Sequence, residues 1–246
     1  SSKATCQELK DKLQEMDEWN AHALILDLRD NTGGLVDASV CSLGLFIGEE
    51  QKALINKNIF TKEEKVHNTP QTNYLFTKPM VTLINARTAS ASEILSGGLQ
   101  EYQRSTIVGI RSYGKRTVQF ISPLSDVEEA RYEPYTSLLL GKNIMIRYTV
   151  FRWALPSGKQ IQKLGITPHI LASTSPDPTL SPFKPREADS SINALEADSL
   201  STIEHSKFNP LIWDCVTKYG MAKSNYKKED IYISEDFQLL TAIDTI

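Results

Sequence analysis

Two short apolar runs, each released into a loop of small residues and then a helical stripe, constrain this chain more than any other feature. HALILDLRD carries Leu24, Ile25, Leu26 and Leu28 ahead of the loop NTGG, and PMVTLIN at 79–85 leads into ARTASASEI. Both runs read as buried strands. After the first, Leu35, Ala38, Ser39, Ser42, Leu45 and Phe46 form one small and apolar stripe, predicting a helix from Leu35 to about Phe46. After the second, ASEILSGGLQEY turns Ile94, Leu95, Gly98, Leu99 and Tyr102 to one side, and STIVGI follows as a further strand. This alternation argues for an α/β core with helices packed on the sheet.

The remainder is organised around that core. Thr5 and Glu8 have capping-box spacing, and Cys6, Leu9, Leu13 and Met16 follow at helical intervals, so the chain opens on an amphipathic helix. Residues 49–76 are charged, polar and interrupted by Pro70, which predicts a surface excursion with a short strand. From Thr117 to Ile146 no helical stripe appears, IMIRYTVFRW reads as a strand edge, and KLGITPHI as a closing strand. Residues 173–185 hold four prolines and no apolar period, the mark of an extended linker. The expected organisation is therefore a core over 1–172, a proline-rich linker over 173–190 and a small helical extension over 191–246, built from INALEADSL, FNPLIWDCVTKY and DFQLLTAI.

Composition narrows the function by exclusion. Lys and Arg number 27 against 30 Asp and Glu, and a net charge of −3 offers nucleic acid no global attraction. No apolar run reaches the roughly 20 residues that span a bilayer, and SSKATCQELK contains no apolar signal segment. His22, His67, His169 and His205 are scattered without metal-ligand spacing, and Asp27 with Asp30 suits hydrogen bonding at a strand end better than a metal pair. The glycine pair belongs to neither a G-x-G-x-x-G nor a P-loop pattern, so no cofactor is expected. Cys6, Cys41 and Cys215 are far apart and read as buried free thiols.

Two segments differ from ordinary core sequence. NARTASASEI delivers hydroxyls to the start of a helix, and SYGKRTVQ sets Lys115 after a glycine just beyond a strand. A serine hydroxyl needs an adjacent base, and a desolvated lysine amine is one. Ser90 is the candidate nucleophile, with Ser92 its rival, and Lys115 the candidate base. The Ala91 N–H at the helix start faces a developing oxyanion, with Gly33 or Gly34 the natural second donor. Glu93 reads as a favourable negative group in the first helical turn.

From Leu24 to Ile170 these segments resemble the catalytic domain of the carboxyl-terminal processing, or tail-specific, serine proteases. LILDLRDNTGG is similar to their strand and glycine loop, NARTASASEILSGGLQEYQRSTIVG to their nucleophile segment and SYGKRTVQ to their base segment. The resemblance implies a ClpP/crotonase-like core, Ser90 as nucleophile, Lys115 as general base, Gln119 as the residue supporting the lysine, and Gly33 with Ala91 as oxyanion donors. It also implies hydrolysis of polypeptides near their carboxyl termini, on unfolded chains or accessible ends. An adaptor or self-association is a further implied partner, and the location is periplasmic or otherwise extracytoplasmic. INALEADSL and HSKFNP are similar to the long periplasmic subgroup. The family carries a PDZ domain ahead of the catalytic strands, expected here to lie outside this chain. Thr32 replaces a proline of the family loop, and Arg116 follows the lysine where glycine is usual, with strand alternation predicting an outward Arg116. The competing readings are a noncatalytic peptide-binding or scaffolding protein on the same fold, a crotonase-like acyl-group enzyme, and a Ser-His catalyst using His67 or His169.

Overall fold

The computed structural model describes residues 4–123, 145–173 and 236–246. In chain order its elements are α1 (Thr5–Glu18), β1 (Leu24–Asp27), α2 (Val36–Ile47), β2 (Lys52–Asn58), β3 (Glu64–Asn68), β4 (Met80–Ile84), α3 (Ala91–Glu101), β5 (Thr106–Gly109), β6 (Thr117–Pro123), β7 (Met145–Ala154), β8 (Ile170–Leu171) and α4 (Phe237–Thr245). INALEADSL and FNPLIWDCVTKY lie outside the described residues, as does the proline-rich stretch beyond Ser173.

The apolar runs form a parallel sheet in the order β1-β4-β5-β8. β4 is buried throughout because it is covered on both faces, which is why its sequence shows no polar alternation. Met80 and Ile84 belong to the cluster shared with α2 and α3, whereas Val81 and Leu83 pack with Val108, Ala172, Leu239 and Ala242. α4 thus lies back against the sheet. Its N-cap Asp236 accepts from Leu239 N at 3.0 Å and from the Arg29 guanidinium at 2.7 Å. Arg29 also grips Asp27 at the end of β1, and the Gln238 amide donates to Ala172 O at 2.8 Å. Asp27 is a structural carboxylate, as its place at a strand end suggests.

The ClpP/crotonase-like core expected from the sequence is not what forms, and the fold class is corrected accordingly. The architecture is an α/β fold in which alternating strands and helices are joined by a second, antiparallel sheet of order β3-β2-β7-β6. The supposed surface excursion at 49–76 supplies β2 and β3, which pair with one another, and β2 pairs with β7. The cause is burial of the middle of β2 and the end of β7. Ala53, Leu54, Trp153 and Leu155 join the main core, while Lys52, Lys57 and the outer residues of β3 stay wet. α3 fits between α2 and this sheet because it has no side chains at two positions. A Cβ on Gly97 would meet Leu155 and Ile166, and one on Gly98 would meet Leu43. The closing strand is shorter than KLGITPHI, since only Ile170 and Leu171 pair with β5.

The N-terminus differs in two details. α1 starts from Ala4 with no side-chain cap, so the Thr5–Glu8 capping box does not form. Cys6 and Cys41 are not free thiols but a disulfide with Cα atoms 5.9 Å apart. Helix packing brings together cysteines that linear spacing keeps apart, and the bond fixes α1 to α2. Among the described residues no helix is long and apolar enough to cross a membrane.

Replacing Cys6 and Cys41 together by serine is expected to lower the free energy of unfolding by about 2–4 kcal/mol. Denaturant titration reads this as a lower midpoint. Reductant should shift the parent protein in the same direction and leave the double variant where it is.

Candidate active site

Parallel pairing of β1 with β4, with Asp27 opposite Leu83, brings the loops that leave both strands to one edge of the sheet. Two buried polar side chains stitch those loops together. Asn85 Oδ1 accepts from the amides of Asp30 and Arg87, each at 3.0 Å. The Thr88 hydroxyl donates to Leu28 O at 2.8 Å, while Asn31 O accepts from Ala89 N at 3.0 Å. NTGG is thereby held beside TASAS.

Ser90 sits where the second loop becomes α3, with φ 57°. That left-handed value is strained for a serine, and it places the residue at the head of the helix. The next residue, Ala91, is buried, and its N–H has no hydrogen-bond partner among the described residues. Gly33 is pressed against this turn: a Cβ there would come within 2.7 Å of Ala91 N and 2.6 Å of Ala89 O. The glycine is required by contact as well as by its φ of 91°. Its N–H does not face open space, because it donates to Asn31 Oδ1 at 3.0 Å.

The residue that unites the site is Glu93. Fully buried, it accepts from Ser90 N at 2.8 Å and Lys115 N at 2.9 Å with one carboxylate oxygen. The other oxygen accepts from Gly114 N at 2.7 Å and from the Ser112 hydroxyl at 2.5 Å. The backbones of Ser90 and Lys115 therefore meet at one atom. Burial raises the carboxyl pKa to about 7, against which the hydrogen bonds from Ser112, Lys115, Gly114 and Ser90 pull downward. All four partners donate and favour the ionised form, but burial outweighs them, so the carboxyl holds its proton to a higher pH than in water. Reading Glu93 only as a helix-dipole charge misses this. The available signal was the S-x-x-E spacing of Ser90 and Glu93, a capping-box pattern, but nothing in the sequence indicates that the same carboxylate also holds 112–115.

The base segment is fixed from further sides. Tyr113 N donates to Thr88 O at 3.0 Å and Ser112 N to Ile166 O at 3.1 Å. Lys115 itself is half-buried, with no ion-pair or side-chain hydrogen-bond partner among the described residues. Gln119 lies exposed in β6, opposite Thr149, and no hydrogen bond joins it to Lys115. Arg116 is not outward. It is 3% exposed, donates from Nε to Trp153 O at 3.1 Å and from Nη1 to Gln160, and its backbone N–H donates to Gln162 Oε1 at 3.1 Å. Strand alternation fails there because β6 begins only at Thr117.

Other candidates fall elsewhere. Ser92 is buried within α3 and its carbonyl accepts from the Ser96 hydroxyl. His169 Nδ1 accepts from Ile107 N at 3.0 Å, and His67 Nε2 lies 3.1 Å from Asn56 Nδ2. Asp30 pairs with Arg87 at 3.6 Å. Among the described residues no three His, Cys, Asp or Glu side chains gather in a metal-binding group.

The sequence profile described as Peptidase family S41 matches residues 1–172. A carboxyl-terminal-processing protease of Synechocystis is 35% identical over 161 residues, covering 65% of this chain and 33% of that protein. The carboxyl-terminal-processing peptidase 3, chloroplastic, of Arabidopsis thaliana is 30% identical over 200 residues, covering 80% of this chain and 35% of its own length. Among solved structures, a photosystem II D1 C-terminal processing protease superposes with a TM-score of 0.56 at 26% identity, over 69% of this chain and 39% of that one. Likeness to this fold is what sets aside the ClpP/crotonase-type core. The chain spans about a third of the length of the first relatives it matches.

At about pH 7 half of a Glu93 population carries a proton in the folded protein, against half at 4.5 for the unfolded chain. The folded state then binds more protons between those values, so the stability this group contributes is fully present below pH 4.5 and is lost as the pH rises through about 7. The loss is on the order of 3 kcal/mol. Glu93→Gln should flatten this dependence in unfolding titrations across that window.

Proposed function

The chain belongs to peptidase family S41, and on that premise we propose that it is the catalytic part of a serine endopeptidase working through a Ser90–Lys115 dyad. The observation that carries the reading is the Glu93 carboxylate, which accepts from the amides of Ser90 and Lys115 together. A nucleophile segment and a base segment far apart in sequence share one buried anchor, an arrangement with a purpose if their side chains act on the same atom.

The neutral amine of Lys115 takes the Ser90 proton as Oγ attacks a scissile carbonyl. The Ala91 N–H and one N–H of the glycine pair hold the oxyanion, aided by the positive end of α3. Protonated Lys115 then gives its proton to the leaving amine, and the acyl-enzyme is hydrolysed by water that the same lysine activates. Gln119 is assigned to orient the amine on the four-residue step from Lys115 that the family resemblance implies.

The substrates we assign are polypeptides cut near their carboxyl termini, on unfolded chains or accessible ends. This rests on the carboxyl-terminal-processing relatives. An extracytoplasmic location, periplasmic in the narrower form, fits the Cys6–Cys41 disulfide, a bond that persists in oxidising compartments. A noncatalytic peptide-binding or scaffolding role draws on one observation, the engagement of the Gly33 N–H by Asn31.

Cleavage of an unfolded protein separates the readings. Ser90→Ala and Lys115→Ala should each reduce kcat/KM by about 10⁴-fold or more while Ser92→Ala stays within a few-fold of the parent. Folded variants that still cut would sink the dyad. A parent protein that cuts none of several unfolded substrates would leave the scaffolding role in its place.

A further inference from the structure

We propose that the Cys6–Cys41 disulfide is a site of reversible thiol–disulfide exchange in the folded protein, opened by an external dithiol that attacks Cys41 and expels Cys6. The inference is independent of the Ser90–Lys115 dyad.

Exchange needs a path to the bond and a sulfur able to leave it. Cys6 and Cys41 both line an open cavity of about 610 Å³, bordered by α1, α2 and residues 70–73. That volume lies in the range that holds small ligands, so a thiol the size of a tripeptide fits. Two charged side chains, Lys10 and Glu49, line it as well. Lys10 Nζ donates to Asn73 Oδ1 at 2.5 Å, and Glu49 Oε2 accepts from Thr72 N at 3.3 Å. With one charge of each sign the cavity exerts no strong net pull on a thiolate, and the direction of attack is set by the sulfurs themselves.

The two sulfurs differ in access and in chemistry. Cys6 is 8% exposed, whereas Cys41 is half-buried and the more open to solvent. Cys6 is the second residue of α1, so it sits at the positive end of that helix, and the N-cap Ala4 has no polar side chain to bond the first-turn amides. Glu8, the acid of that turn, is exposed and screened by solvent. A helix start stabilises a thiolate, which makes Cys6 the better leaving group. Cys41 stands in the middle of α2, away from either helix end. Access and leaving-group strength therefore select the same direction.

A thiolate of the dithiol bonds to Cys41 Sγ as the Cys6–Cys41 bond breaks, and the electron pair of that bond leaves on Cys6. The second thiolate of the dithiol then attacks its own first sulfur, closing a cyclic disulfide and releasing Cys41 as a thiolate. The protein disulfide gains two electrons and, as thiols, two protons, all from the dithiol. α1 thereby loses its covalent tie to α2, the helix that follows NTGG.

The two cysteines fall on separate tryptic peptides, 4–10 and 30–52, so the direction of attack can be read directly. Glutathione is added to the folded protein, the reaction is stopped early in acid, free thiols are blocked with N-ethylmaleimide, and the peptides are weighed by mass spectrometry. Glutathione on Cys41 with a blocked Cys6 should exceed the reverse pairing by about tenfold or more. With dithiothreitol, the rate of reduction should rise in proportion to reductant and stay level through low urea, because attack on the folded state needs no unfolding. Glutathione mainly on Cys6, or a rate that climbs with urea from the first addition, overturns the proposal.

Discussion

The geometry at the head of α3 depends on one fully buried carboxylate. Glu93 replaces the water it lost with four donors, three backbone amides at Ser90, Gly114 and Lys115 and the Ser112 hydroxyl. An ionised carboxylate with all its strong acceptor sites filled is tolerated in a core, while the same group with one donor missing is costly. The four donors come from two segments, so satisfying the charge and aligning the segments are the same event. Ser112 extends the connection, since its hydroxyl also accepts from Ile166 N and so ties the cluster to the stretch before β8.

The fold supplies the setting for this cluster through two sheets that share one helix. α3 meets α2 at Gly98, against Leu43, and at Gly97 the residues Leu155, just past β7, and Ile166, and the absence of side chains there lets them close around it. The parallel sheet fixes the head of α3 at the edge where β1 and β4 end. The antiparallel sheet brings β6 and β7 against the segment that carries Lys115, with Trp153 N donating to Arg116 O at 2.9 Å. α4 covers the far face of the parallel sheet, so β4 is buried from both sides and its residues have no freedom to shift the loop they feed.

Much of the local structure is legible in the residues. The strands β1, β4 and β5, the helices α2 and α3, and the placing of Ser90 at a helix start follow from apolar runs, helical stripes and small-residue loops. The helix at DFQLLTAI is legible too, though not the surface it packs on. What goes unread is long-range. β2 and β3 look like a polar excursion because β3 stays largely exposed, and the buried residues of β2, Ala53, Leu54 and Asn56, have meaning only once β7 is paired alongside. Cys6 and Cys41 look like isolated thiols because only the packing of α1 on α2 sets them a bond apart. Arg116 looks like an exposed strand residue because alternation is assumed one residue before β6 begins, and its true partners are Trp153, Gln160 and Gln162.

The candidate site divides along the same line. Sequence alone determined which groups have the chemistry: a hydroxyl at Ser90, an amine at Lys115, exposed amides at a helix start and a glycine pair after a buried strand. These are properties of residue type and of neighbours within one or two turns, and local rules reach that far. Only the tertiary structure decided which of those groups are held and by what. It gave the Gly33 N–H to Asn31, left Gln119 without a bond to the lysine, and made Glu93 the joint between 90 and 115. The physical reason is that a buried polar group must find partners wherever the chain brings them, and the partners of Glu93 and Arg116 are fixed by packing rather than by sequence distance.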